Sequence, residues 1–216
     1  VLENNKKIIV LEDDLLTDKF FLKYMNEALN LFENNEDIIS IHGYIYPLKK
    51  KLQKPFFLKG ADCWGWGTWS TKWKIYSSNT NLLLKKIKNH NLIRDFNFNN
   101  SYDYYKMLND KLIKKNNSWA INWYASAFLK NKLTLYPKYS LIQNIGMDGT
   151  GIHSYQSNKF KVKLRNKPLY LNKNIIVKED KLARILFTNF FKSLKIDLKN
   201  IVLNKLKNVI GIKKIL

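Results

Sequence analysis

The chain has 216 residues, 45% hydrophobic and 14% aromatic, enough for one domain with a real core and too apolar for a disordered chain. Its single cysteine, Cys63, excludes an intramolecular disulfide framework, and no run approaches the roughly 20 uncharged apolar residues of a membrane span. The formal net charge of +21 invites a nucleic-acid partner, but Lys, Asn and Ile recur everywhere, loops included, while Arg is scarce. The charge therefore reads as compositional bias, better suited to an anionic membrane surface or phosphate-bearing ligands than to nucleic acid.

In chain order, "KKIIVL" (Lys6 to Leu11) reads as a short buried strand, apolar on both faces. It runs into three consecutive acids, Glu12, Asp13 and Asp14. Thr17 is placed as an N-cap with Asp18 in the first turn. Phe20, Phe21, Tyr24, Met25, Ala28, Leu29 and Phe32 then recur at helical spacing, which predicts an amphipathic helix from Asp18 to about Phe32. "DIISIHGY" (Asp37 to Tyr44) reads as a second strand, so the alternation is that of an α/β sheet.

After Pro47 and a lysine-rich turn comes "PFFLKGADCWGWGTWSTKW", dense in Trp and Gly. Helical patterns follow around Asn81 to Lys88 and Tyr102 to Lys115. "SWAINWYASAFLKN" predicts a buried helix over Ser118 to Asn131, "LTLYP" a short strand over Leu133 to Pro137, and "QNIGMDGTGIHS" a glycine-bearing loop. From Lys181 onward, apolar residues at helical spacing lie among many lysines, the pattern of a basic amphipathic tail. The expected organisation is a domain over 1–160, a linker over 161–180 and the tail over 181–216.

Three adjacent acids at a strand end repel one another unless solvated or neutralised. Ligands of open α/β sheets bind beyond the carboxyl ends of strands, and hard divalent cations such as Mn²⁺ or Mg²⁺ take carboxylate oxygens there while bridging to phosphates. A solvated loop explains a short acidic run equally well on spacing alone. "CWGWGTW" adds a second signal. Gly65 and Gly67 would each cost about 1 kcal/mol in a helix, whereas rings alternating with glycine let the backbone approach a ligand beside flat apolar faces. Trp64 or Trp66 would then present a ring face to a ligand, with the remaining rings, Trp119 and Trp123 among them, in the core.

The segment "VLEDDLLTDKFFLKYMNEAL" resembles the acid motif of GT-A glycosyltransferases, and is closest to bacterial sugar transferases whose segment looks like that of N-acetylglucosaminyltransferase I. The resemblance continues through "ISIHGYIYP", "CWGWGTWSTKW" and "NSWAINWYASAFLKNKLTLYPKYSLIQNIGMDGTGIHS", covering roughly Lys6 to Ser154. It implies a GT-A (nucleotide-diphospho-sugar transferase, Rossmann-like) α/β fold, a mixed sheet flanked by helices. It also implies an N-terminally truncated domain, because the acid motif stands at residue 12 with space for one strand before it. The implied activity is metal-dependent, inverting transfer of a sugar from a nucleotide-sugar donor to a glycan or glycolipid acceptor.

By the same resemblance, Asp14 is the direct ligand of Mn²⁺ or Mg²⁺, Glu12 holds the ribose or the metal's water shell, and Asp13 fixes the loop. His153 reaches the diphosphate or the metal, or is simply a solvated loop histidine. Asp103 is the general base for the acceptor hydroxyl, or a first-turn helix acid; Asp95 and Asp148 stand in reserve. Asn122 occupies a position where relatives often carry Arg. The expected setting is cytoplasmic and peripheral, with 181–216 against an anionic membrane surface and no nucleic acid bound. The rival readings are a non-catalytic basic module for membrane or nucleic acid, and an inactive remnant of the fold.

Overall fold

A computed structural model of the chain describes residues 2–146 and 158–209, with side chains described through Lys195. Strand β1 (Lys7–Val10) leads through the acid turn into a short strand β2 (Leu15–Thr17), helix α1 (Phe21–Leu31) and strand β3 (Ile38–His42). Strands β4 (Phe56–Lys59) and β5 (Trp66–Trp69) precede five helices, α2 (Ser70–Trp73), α3 (Thr80–Asn89), α4 (Ile93–Phe96), α5 (Tyr104–Leu112) and α6 (Ala120–Leu129). Strands β6 (Leu133–Tyr136) and β7 (Ile142–Asn144), a 3₁₀ turn at Asn158–Phe160 and the long helix α7 (Lys181–Val209) follow.

The main sheet has the order β1-β5-β3-β6-β4, and β2 pairs with β7 in a second, two-stranded sheet. β3 and β6 are parallel, β5 is antiparallel to both β1 and β3, and β4 is antiparallel to β6. The chain is therefore an α/β protein with a mixed sheet, and β1, β3 and β6 all point their carboxyl ends the same way. β1 differs from the buried strand expected from its composition: each of its residues is half-buried, and β5 is its partner among the described residues.

Alternation along the strands divides the core into layers. In β4, Phe57 turns toward the α1 side of the sheet, while Phe56 and Leu58 turn toward the side that holds α3, α6 and α7. Helix α6 lies deepest, with every residue from Ile121 to Phe128 buried. A helix apolar around its whole circumference can only sit inside. Its Asn122 is buried too, with the side-chain amide donating to the Ser77 carbonyl at 2.9 Å and to Thr80 Oγ1 at 3.1 Å. That side chain is spent on joining α6 to the start of α3.

Helix α1 begins later than its periodicity predicts. Thr17 is an exposed residue of β2, Phe20 is the N-cap, and Asp18 shapes the turn before it, its Oδ1 accepting from the Phe20 N–H at 2.9 Å. Asp18 is 2% exposed because its Oδ2 accepts from the distant Asn166 N–H at 2.6 Å. At the other end, Lys72 lies over the Trp69 ring and donates to the Phe32 carbonyl at 2.7 Å and the Asn35 carbonyl at 3.0 Å. This cation closes the C-terminus of α1, and burial pushes its pKa down to about 8.

Lys181–Val209 forms one helix that is part of the core over its first turns. Ala183, Phe187 and Phe191 are buried in the largest hydrophobic cluster. Arg184, lying over the Phe98 ring at 4.7 Å, pairs with Glu179 at 3.1 Å and with Asp95. No described helix is long and apolar enough to cross a membrane.

Candidate active site

The register of the sheet assembles the site. Val10 pairs with Trp66 across β1 and β5, and His42 of β3 pairs with the same Trp66. Because β5 runs opposite to both neighbours, Leu11 and Glu12 leave β1 beside Gly65 and Trp64 entering β5. The segment after His42 leaves at the same end, and β6 ends there with Tyr136. The carboxyl ends of β1, β3 and β6 thus gather the acid turn, Tyr44, Tyr46 and the loop Gly60–Gly65, the location at which open α/β sheets bind ligands.

That loop is held by two glycines in the left-handed region, Gly60 at φ 92° and Gly65 at φ 61°. A Cβ on Gly60 would stand 2.2 Å from the Tyr124 ring, and one on Gly65 would meet Ile142 at 2.6 Å. Conformation and space both demand glycine. Between them, His42 pins the backbone. The Trp64 N–H can only donate, so His42 Nε2 accepts it at 3.0 Å; the Tyr44 carbonyl can only accept, so Nδ1 carries the proton at 2.8 Å. Burial pushes the pKa of this fully buried imidazole down, against the raising influence of Asp62 and of its bond to the Tyr44 carbonyl. The ring is a neutral strut.

The loop lines a cavity of about 230 Å³ walled by Tyr46, Trp64, Tyr102, Tyr104, Tyr136 and Phe187 with the Asp62 carboxylate inside. This is below the roughly 300–1,000 Å³ of drug-sized sites, matching one small polar group such as a monosaccharide more closely than a whole nucleotide. Tyr46 donates to Asp62 Oδ2 at 3.3 Å, the Cys63 N–H donates to Oδ1 at 3.1 Å, and Tyr136 reaches the same carboxylate. Desolvation first, and Asp62 second, pushes the hydroxyls of Tyr46, Tyr102, Tyr104 and Tyr136 upward. They stay protonated and serve as donors. The Cys63 thiol is likewise pushed up, by burial, then Asp62, then Glu12, which removes it as a nucleophile and places it in reach of both carboxylates.

The acid turn is built differently. Glu12 and Asp13 are exposed and Asp14 is half-buried. Partial desolvation, then Asp14, then Asp13, pushes the Glu12 carboxyl upward. Asp14 Oδ2 accepts from Asn144 Nδ2 at 3.3 Å, and a Cβ on Gly146 would come within 2.2 Å of that oxygen. Asp14 Oδ1 is buried without a hydrogen-bond partner. An orphaned carboxylate oxygen beside two further acids fits a hard cation. Among the described residues no three His, Cys, Asp or Glu side chains form a ready ligand set, so the fit is to an ion held by one or two carboxylates and completed by ligand phosphates and water.

The other expected residues fall as follows. Trp64 lines the cavity, stacked edge-on to Tyr44 at 4.9 Å, but Trp66, one residue beyond Gly65, is 3% exposed and lies in a buried cluster with Trp73 and Trp123. Trp123 is buried as expected, whereas Trp119 is 38% exposed. Asp103 precedes α5 between two cavity-lining tyrosines, yet its own carboxylate is exposed and paired with Lys195 of α7 at 2.8 Å. Asp95 is held by Arg184. His153 and Asp148 lie outside the described residues. Asp62, the carboxylate the cavity does contain, stands in "KGADCW" just ahead of the tryptophans. Its signal was the pair of loop-forming glycines around it.

A scan against protein-family models and a search of curated proteins both return no match to this chain.

Proposed function

We propose that the chain is the catalytic portion of a GT-A-type glycosyltransferase that moves a sugar from a nucleotide-sugar donor to a hydroxyl of a glycan or glycolipid acceptor with inversion. The observation that carries this reading is the juxtaposition, at one end of the sheet, of an acid turn with an unsatisfied buried oxygen and a tyrosine-lined cavity holding a carboxylate. The motif resemblance from Lys6 to Ser154 supports it. Donor phosphates would lie along Glu12–Asp14, outside the small cavity, with Asp14 and Glu12 holding Mn²⁺ or Mg²⁺. When bound, the ion supplies charge neutralisation of the diphosphate.

Trp64 would offer its ring to a sugar face. Tyr46 and the Cys63 N–H hold Asp62 in place, and Asp62 would take the proton of the acceptor hydroxyl as that hydroxyl's oxygen bonds to the anomeric carbon. The bond from that carbon to the phosphate oxygen breaks, and its electron pair leaves on the nucleoside diphosphate. We place the base at Asp62 ahead of Asp103, because a base must reach the hydroxyl and Asp103 is exposed and paired with Lys195. The part of α7 beyond Lys195 is the segment proposed to meet an anionic membrane surface in a peripheral cytoplasmic setting. A transfer assay over a panel of nucleotide sugars tests the assignment. Asp62→Asn should abolish turnover while sparing donor binding, and full turnover by Asp62→Asn with loss in Asp103→Asn would return the base to Asp103.

A further inference from the structure

The segment 161–167 reads "KVKLRNK", with a cation at every second position. Lys161, Lys163, Arg165 and Lys167 are exposed, whereas Val162 and Leu164 are half-buried, and the Val162 N–H donates to Gln143 Oε1 at 2.7 Å. Lys161, Lys163 and Arg165 thus alternate with the two half-buried side chains, and the left-handed Asn166 (φ 51°) turns the backbone before Lys167. The segment shares the lining of a cleft of about 540 Å³ with Lys50, Lys51 and Lys138, and among the described residues no acidic side chain is on that lining. None of these seven cations has a carboxylate partner among the described residues. Asp18, whose charge acts on the lining residue Tyr139, spends both oxygens on the backbone N–H groups of Phe20 and Asn166.

We infer that this cleft binds an anionic saccharide chain, one carrying phosphate or carboxylate groups along its length. The inference rests on the transferase reading above, in which such a chain is the acceptor. Charge sets the sign of the ligand: unpaired cations lining one concavity focus a positive potential into it. Shape argues against a bilayer, because a concave site of small-ligand volume does not mate with a plane. Ring placement argues against single-stranded nucleic acid, which is held by bases stacking on open aromatic faces. The Tyr46 ring is packed by Phe190, Phe187 and Phe191 at 5.0 to 5.2 Å, and the Tyr139 ring carries Arg165 at 5.1 Å and Lys138 at 5.9 Å. The aliphatic floor of Ile45, Leu48 and Leu52 suits the C–H faces of sugars. Position supplies the link to function, since Tyr46 lines both this cleft and the Asp62 cavity. A chain lying among the lysines would therefore deliver its end toward Asp62.

The test is calorimetric titration of the full chain, and of a Lys161→Gln, Lys163→Gln, Arg165→Gln variant, with five probes. These are hexameric oligogalacturonate, a phosphorylated oligosaccharide of similar length, neutral maltohexaose, oligouridylate, and vesicles containing phosphatidylglycerol. The expected result is binding of one or both charged saccharides, none of maltohexaose, and weakening in the variant by roughly tenfold or more; which charged saccharide binds names the anion. Equal binding by the variant, binding of maltohexaose, or binding of oligouridylate or vesicles without either charged saccharide would overturn the inference. UDP with Mn²⁺ is titrated in parallel. Nucleotide binding without charged-saccharide binding sinks the cleft and leaves the transferase standing, and the reverse pattern sinks the transferase and leaves the cleft. The three substitutions are at exposed positions, and circular dichroism confirms that the variant is folded.

Discussion

The two halves of the candidate site hold carboxylates in opposite ways. Asp62 is enclosed by aromatic walls and accepts from a hydroxyl and a backbone N–H, while the tyrosines around it are kept protonated by burial and by Asp62 itself. The acid turn has three carboxyls in sequence, a Glu12 pushed toward its neutral form, and an Asp14 oxygen with no partner. Protein groups alone complete the first arrangement. The second is electrostatically unfinished and would become favourable with the proposed cation present. Under the proposed function, the enclosed pocket would take the neutral, sugar-sized part of a substrate and the acid turn its anionic part.

Substitutions can break this contrast, and the largest effect belongs to the enclosed half. Asp62→Asn keeps the shape of the cavity and removes the proposed base, so kcat should fall by roughly 10²–10⁴ in a steady-state transfer assay. The cavity wall comes next. Phe187→Ala removes a ring shared by the core and the cavity, and should lower unfolding free energy by about 3–5 kcal/mol in urea titrations. At the acid turn, Asp14→Asn leaves the fold in place and should weaken metal-dependent nucleotide binding by at least tenfold.

Proton linkage sharpens the comparison further. His42 is held neutral with its pKa lowered, so below the unfolded value near 6.5 the unfolded chain binds a proton that the folded chain resists. Stability present above pH 6.5 should decline as pH falls toward the lowered folded value, and fluorescence of Trp64, whose N–H His42 accepts, should change with it. Glu12 has the opposite sign. Its raised pKa means the folded state loses stability as pH rises through that value. Glu12→Gln should therefore stabilise the metal-free protein at neutral pH, by only a few tenths of a kcal/mol given how exposed the group is. Thermal melts with and without Mn²⁺ would show the gain vanish or reverse when the ion is present.

What could be read from the sequence follows from the range of the forces involved. Periodicity locates α1, α3 and α5, because each buries one stripe, and unbroken apolar runs locate α6, β3 and β6, which are buried on every side. The start of α1 was misplaced because Asp18 is held by Asn166, 148 residues away. β1 looked like an interior strand from composition, yet composition does not say which strand has neighbours on both sides. Asp62 escaped notice because its environment comes from tyrosines at 46, 102, 104 and 136, which only the fold assembles. Trp64 and Trp66 were indistinguishable by residue type, and the left-handed Gly65 between them separates a cavity ring from a core ring. The apolar residues of α7 are expected at a membrane surface, but helical spacing does not tell a membrane from a core, and Phe187 and Phe191 lie in the core. The alternating cations of 161–167 passed for a linker because no regular element contains them.

The central claim is that the acid turn is completed by a cation carrying a nucleoside diphosphate. The most direct measurement is calorimetric titration of UDP, then GDP, with and without Mn²⁺, on the chain and on Asp14→Asn. The account predicts binding that requires Mn²⁺ and is lost in the variant while circular dichroism stays unchanged. Binding of equal strength with and without Mn²⁺, or retained in Asp14→Asn, would contradict it.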